Sequence, residues 1–96
     1  MLFNAVCSIH SHLSQEHRQG GLARRAEWKY PEGVKVVSEV WRTTAPEIVT
    51  TFECTSYEQL MAIQMEWADF MQMNVSPCTT PEEGLKIGAK LMSMKK

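Results

Sequence analysis

Three histidines lie close together near the start of the chain, in a spacing that could serve metal binding. His10 and His12 are two residues apart in an extended segment, so their imidazoles point the same way, and His17 follows soon after. An isolated H-x-H is a weak signal, because a structural metal site usually needs four ligands. The sequence therefore predicts no bound metal and no cofactor, and His10, His12 and His17 are the residues that would hold a metal.

Acid–base chemistry would need a different group of residues, namely His10, Glu39 and Glu53, which strand alternation assigns to one face of a sheet. Burial could raise the pKa of a carboxylate or move that of the histidine across neutral pH. One hypothesis is a small cofactor-independent enzyme of the oxygenase or isomerase type with His10 as base. It requires His10 to lie within hydrogen-bond reach of Glu39 or Glu53. The other hypothesis is that these are ordinary hydrogen-bonded interface groups.

The same predicted face mixes polar residues with valine and tryptophan. It is too polar for a dry core and too apolar for a purely solvated surface. We therefore expect a semi-polar pocket, partly enclosed between two subunits, that accommodates a small organic molecule. Its candidate lining residues are Asn4, Ser8, His10, Glu39, Trp41, Thr51, Glu53 and Asn74.

The elements that must position these residues can be predicted from hydrophobic periodicity and capping signals. The predicted strands are 2–10, 34–42, 47–54 and 72–79, and the predicted helices are 14–28, 56–71 and 81–94. This order is β-α-β-β-α-β followed by one helix. It predicts a single ferredoxin-like α+β domain over residues 1–96, with helices on one face of a four-stranded antiparallel sheet.

Two helices carry features that the periodicity does not explain by itself. Gly20 and Gly21 lie inside the first helix, where each glycine costs about 1 kcal/mol relative to alanine, so we expect the helix to be broken there or to begin after them. The second helix has an apolar arc wider than one sheet can cover, and apolar residues also cover a wide arc of the third helix. We expect the third helix to dock against the second, within one subunit or across a dimer.

Several short segments resemble a known family of short prokaryotic proteins, the domain-of-unknown-function family 3303. They are Leu2-Phe3, the segment 30–35 (YPEGVK) leading into a strand that ends near Trp41, the segment 66–69 (EWAD) and the segment 75–77 (VSP). The family in turn resembles the dimeric α+β barrels, in which two ferredoxin-like sheets pack open face to open face. The resemblance implies this fold and a dimer, but no particular reaction.

Composition limits the partners and the compartment. The 96 residues carry a formal net charge of -1 without a long run of like charge, so we expect neither nucleic acid nor an anionic membrane as partner. Val6, Val37, Trp41 and Val49 on the uncovered face predict a homodimer. The segment 1–9 lacks the features of a signal peptide, and three widely spaced cysteines do not form a disulfide framework. We therefore expect a cytoplasmic protein with reduced thiols.

Overall fold

The chain alternates strands and helices in the order β1 (Leu2–Ile9), α1 (Gln15–Glu27), β2 (Lys35–Trp41), β3 (Ile48–Glu53), α2 (Tyr57–Trp67), β4 (Met71–Pro77) and α3 (Pro81–Ser93). A computed structural model describes residues 1–95. The strands form one antiparallel sheet in the order β2-β3-β1-β4. This is the ferredoxin-like α+β arrangement with one added helix, so the predicted fold class is confirmed.

Each helix begins after a side chain that caps the backbone amide three residues further on. Ser14 Oγ accepts from the His17 amide at 3.0 Å, and Thr80 Oγ1 accepts from the Glu83 amide at 3.1 Å. Ser56 begins a full capping box, in which the Gln59 side chain returns to the Ser56 amide. These local signals explain why the predicted helix starts agree with the structure.

The glycine pair does not interrupt α1, which runs without a break through both residues. The prediction of a broken helix is wrong because Gly21 has a packing role. A Cβ atom at Gly21 would lie 2.3 Å from Cζ of Phe70, whereas a Cβ atom at Gly20 would meet nothing within 4 Å. Gly21 therefore lets α1 approach the Phe70 ring, 49 positions away in sequence.

The core lies between the sheet and the two helices α1 and α2. Its buried side chains come from β1, β3, α2, the first residue of β4 and the turns that follow β3 and α2: Ala5, Cys7, Phe52, Cys54, Ile63, Trp67, Phe70 and Met71. Trp67 meets Trp28 and Phe70 edge to face, with ring centroids 5.7 and 5.8 Å apart. This aromatic cluster joins the ends of both helices to the start of β4.

A β-bulge in β2 changes which residues face the core. Val36 lies opposite Phe52 and Ser38 lies opposite Thr51, so Val37 is an extra residue in this strand. Beyond the bulge, Glu39 pairs with Thr50 and Trp41 pairs with Ile48, both on the face that the helices cover. Strict alternation predicts the open face for Glu39 and Trp41, and this prediction is wrong because the bulge shifts the alternation by one residue.

Helix α3 extends away from the rest of the molecule. Its residues are exposed, apart from the partly buried Gly84 and Gly88. The radius of gyration is 16.3 Å, against about 13 Å for a compact domain of this length, and the longest dimension is 59 Å. Docking of α3 on its own chain is therefore not observed. Within residues 1–95, no helix is both long and apolar enough to cross a membrane.

Candidate ligand-binding cleft

A cleft of about 330 Å³ opens between α1 and the end of the sheet where β2 and β3 are joined. Apolar side chains form most of its wall, and charged groups lie among them. The lining residues are Ile9, Arg18, Gly21, Leu22, Arg25, Trp41, Arg42, Thr43, Glu47, Ile48, Trp67, Phe70 and Met71. Small organic ligands bind in clefts of this size that combine apolar walls with a few polar groups.

The position of α1 over the cleft is set by two contacts at one end of α2. Gly21 allows the close approach to Phe70 described above. Arg24 forms a bidentate pair with Asp69, at 3.0 and 3.1 Å, and lies 4.5 Å from the Trp67 ring centroid. This pair lowers the pKa of the Asp69 carboxyl through the Arg24 hydrogen bonds. Arg24 thus fastens α1 to the turn between α2 and β4.

Positive charge predominates in the cleft lining, with three guanidinium groups against one carboxylate. Arg18 donates to backbone carbonyls, at 3.1 Å to His10 and 3.4 Å to Leu13, which leaves its charge uncompensated. Arg25 pairs with Glu39. Within residues 1–95, the Arg42 guanidinium makes no hydrogen bond or ion pair. Glu47 accepts from the Ile9 amide at 3.2 Å, so its carboxylate is held at the end of β1.

Glu39 forms the centre of a hydrogen-bond network beside the cleft. Its carboxylate accepts from Tyr30 Oη at 2.5 Å, from Trp41 Nε1 at 2.7 Å and from Arg25 Nη2 at 3.2 and 3.3 Å. Burial by itself would raise the pKa of Glu39, but the three donors together lower it. The network therefore holds a charged carboxylate and fixes the Trp41 ring at the mouth of the cleft.

The Tyr30 hydroxyl and the Cys7 thiol, which lie near Glu39, both have raised pKa values. Burial and the Glu39 carboxylate raise the pKa of Tyr30 to about 12. Burial, and secondarily Glu39, raises the pKa of Cys7 to about 11. At neutral pH the tyrosine is therefore a hydrogen-bond donor rather than a base, and the Cys7 thiol is unreactive.

The structure does not bring the three candidate catalytic residues together. His10 Nε2 lies 2.8 Å from the Ala68 carbonyl at the end of α2, and Glu39 is occupied by Arg25, Tyr30 and Trp41. Glu53 lies opposite Leu2, at the other end of β1 from His10. The hydrogen bond that the enzyme hypothesis requires is therefore not formed within this chain.

The predicted pocket residues divide between the two faces of the sheet. Five remain on the open face by register, namely Asn4, Ser8, Thr51, Glu53 and Asn74. Of these, Asn4 Nδ2 donates to Thr51 Oγ1 at 3.2 Å. Glu39 and Trp41 lie on the helix-covered face instead, so Trp41 does not support a dimer contact on the open face.

The histidines form no metal cluster. The His10 and His12 rings stack with centroids 5.3 Å apart, while His17 lies beside the Phe70 ring at 6.2 Å. Among residues 1–95, no group of three or more His, Cys, Asp or Glu side chains is arranged to hold a metal ion. Two of the three histidines therefore contact each other, and the third contacts the core.

The model of the domain of unknown function DUF3303 matches residues 1–92. The chain belongs to this family. No match was found among curated proteins or among solved structures.

One motif behind the family resemblance has a structural role in this DUF3303 chain. The segment 66–69 supplies the Asp69 carboxylate and the Glu66 carbonyl to which Arg24 donates, and its Trp67 lies beneath the Arg24 guanidinium. The motif therefore holds α1 in place over the cleft.

Sequence reasoning missed the charged residues of the cleft, Arg18, Arg25, Arg42 and Glu47. They come from α1 and from both ends of the β2–β3 connection, so local periodicity does not show that they meet. For Arg25 the sequence did contain one indication: two adjacent arginines, Arg24 and Arg25, lie on a helix that must cover the sheet.

Proposed function

We propose that this DUF3303 protein is a small-molecule-binding module whose ligand is an organic anion with an apolar body. The observation that carries the proposal is the cleft of about 330 Å³, whose lining combines apolar walls with Arg42, an exposed residue whose guanidinium has no partner within residues 1–95. The ligand class follows from the lining rather than from the family, whose description specifies no ligand.

The charges of the lining favour a carboxylate over a neutral group. Arg42 has free donors in a fork that matches a carboxylate, and Arg18 adds a second positive charge. Glu39 is paired with Arg25, so these two charges offset each other. Glu47 accepts only from a neutral backbone amide and offsets one of the positive charges of Arg18 and Arg42, so the lining keeps a net positive charge. Hydrogen bonds to a charged group contribute about 1.5–3 kcal/mol, or roughly tenfold to a hundredfold in Kd.

The apolar part of the ligand would lie against the remaining walls of the cleft. Leu22 is largely exposed, Trp41 is half exposed, and both line the cleft. A ring or branched alkyl group placed between them would remove this apolar surface from water. The cleft volume suits a molecule of the size of an arylacetic acid.

The test is a binding titration with two isosteric probes, phenylacetate and its neutral analogue phenylacetamide. Trp41 and Trp67 line the cleft, so intrinsic fluorescence reports occupancy, and calorimetry gives Kd. We expect phenylacetate to bind at least about tenfold more tightly than phenylacetamide. Arg42→Gln should remove this preference, whereas Lys35→Gln, which removes one positive charge from the far end of β2, should keep it.

The result that would overturn the proposal is equal affinity for the two probes in the wild-type protein. Binding that is insensitive to Arg42→Gln would also overturn it, because the anion would then be recognised elsewhere. Absence of a saturable signal with either probe would show that the cleft does not accept this class of molecule.

We also propose the reducing cytoplasm as the compartment. Cys7, Cys54 and Cys78 are all free, and the first two are buried in the core. Burial makes these thiols packing groups, which supports a protein that keeps its cysteines reduced.

A further inference from the structure

Two apolar stripes are left uncovered on the helices of this chain. One lies on α3 and the other lies on the outer side of α2. Apolar patches of this kind on a soluble protein mark interaction surfaces, whereas scattered single residues need no explanation.

The stripe on α3 covers nearly half of the circumference of that helix. Its large side chains are Leu85, Ile87, Leu91 and Met92, of which Leu85 is 77% exposed and Leu91 is 60% exposed. Glu82, Lys86, Lys90 and Ser93 lie on the opposite side of the helix. An amphipathic helix of this kind normally packs its apolar face against another surface. In this chain, however, α3 extends away from the rest of the molecule.

The stripe on α2 consists of Tyr57, Met61 and Met65, which follow each other at intervals of four residues. Tyr57 is 74% exposed and Met65 is 73% exposed, whereas Ile63 and Trp67 on the other side of α2 are buried in the core. This stripe therefore faces away from the sheet. Tyr57 and Met65 are eight positions apart, about 12 Å along the helix axis. The stripe on α3 has a similar length, because Leu85 and Met92 are seven positions apart.

We propose that α3 of one copy of this chain packs against the Tyr57–Met61–Met65 stripe on α2 of a second copy, and that the exchange is reciprocal. The inference does not depend on the proposed ligand.

The available apolar area favours a second copy as this occupant. In a reciprocal exchange each copy contributes both stripes. The two stripes have seven large side chains, and each would bury on the order of 100 Å². Each copy would therefore bury about 700 Å², close to the roughly 800 Å² per partner of a stable interface.

The first test is the mass in solution, measured by light scattering from 1 to 100 µM. We expect the wild-type chain to be a dimer at the upper end of this range. Leu91→Asp should weaken the dimer by about tenfold or more, because it places a charge in the apolar stripe. Ser93→Asp is the matched control, since it puts the same charge on the polar side of the same helix and should leave the mass unchanged.

The second test identifies the partner of α3. Met65→Cys and Leu91→Cys chains, each with Cys78→Ser, are treated with a short bismaleimide separately and as a mixture. Covalent dimer is expected in the mixture and much less in either chain alone.

Several results would overturn the proposal. A monomeric wild-type mass at 100 µM would do so, as would a dimer that Leu91→Asp leaves intact while Val40→Asp on the open sheet face dissociates it. Efficient cross-linking of the Leu91→Cys chain to itself would show α3 pairing with α3 instead. All of these measurements are independent of probe binding, so the interface and the ligand proposal can fail separately.

Discussion

Gly21 and Gly20 are neighbours in α1, yet their surroundings lead to opposite expectations for the same substitution. Gly21→Ala should destabilise the protein by about 1–3 kcal/mol, because the added Cβ would overlap the Phe70 ring in a packed core. Gly20→Ala should stabilise it by up to about 1 kcal/mol, because the new methyl meets nothing and alanine favours a helix. Urea unfolding of the two variants measures both values. Equal effects would contradict the role given to the Phe70 contact.

These glycines also mark how far single residues can be predicted from sequence. The capping residues Ser14, Ser56 and Thr80 act on amides three positions away, so sequence suffices to find them. Gly21 is explained by the Phe70 ring, which is 49 positions away and leaves no space for a Cβ atom. No local sequence pattern shows this contact. Arg42 is a similar case, because only the fold places it at the same cleft as Arg18 and Trp41.

At the scale of elements, the bulge in β2 decides the location of the candidate site. Strand alternation correctly predicts that β2 and β3 form a hairpin and that one face of each strand is covered by the helices. One extra residue, Val37, then moves Glu39 and Trp41 from the open face to the cleft side. A bulge is a mismatch between two strands, so it cannot be read from the alternation of one of them. The order of elements was therefore predictable, and the chemistry of each face was not.

The Glu39 network, which ties β2 to α1, should make stability depend on pH. The lowered pKa of Glu39 means that its contribution is fully present above its ordinary value of 4.5 and is lost as the pH falls through the lower folded-state value. Glu39→Gln should therefore reduce the free energy of unfolding by about 1.5–3 kcal/mol at pH 7. The difference from wild type should shrink as the pH falls below 4.5.

Denaturant unfolding at intervals between pH 3 and pH 7 measures this convergence. Glu53→Gln is the control, because it removes the same charge outside the network. A Glu39→Gln effect that stays constant across the range would show that the network does not depend on the charge of Glu39.

At the scale of the whole molecule, α3 has little reason to be stable as part of a single chain. A 13-residue helix is marginal in water by itself, and most helical stability in proteins comes from packing an apolar face. The chain supplies strong capping at Thr80 and Pro81, but within residues 1–95 the apolar face of α3 is not buried against the same chain. The sequence predicted the helix and its need for a partner surface, because both are local properties. It left open whether that surface belongs to the same chain.

If a second copy supplies the surface, the melting temperature should depend on protein concentration. Association stabilises the folded state by mass action, and each tenfold rise in concentration adds about 1.4 kcal/mol per dimer. For two chains of 96 residues this corresponds to a rise in Tm of about 3–6 °C per tenfold step. Calorimetry from 5 to 500 µM measures the slope. Leu91→Asp should show nearly the same Tm throughout, and a wild-type Tm that is equally constant would mean that α3 gains no stability from a second copy.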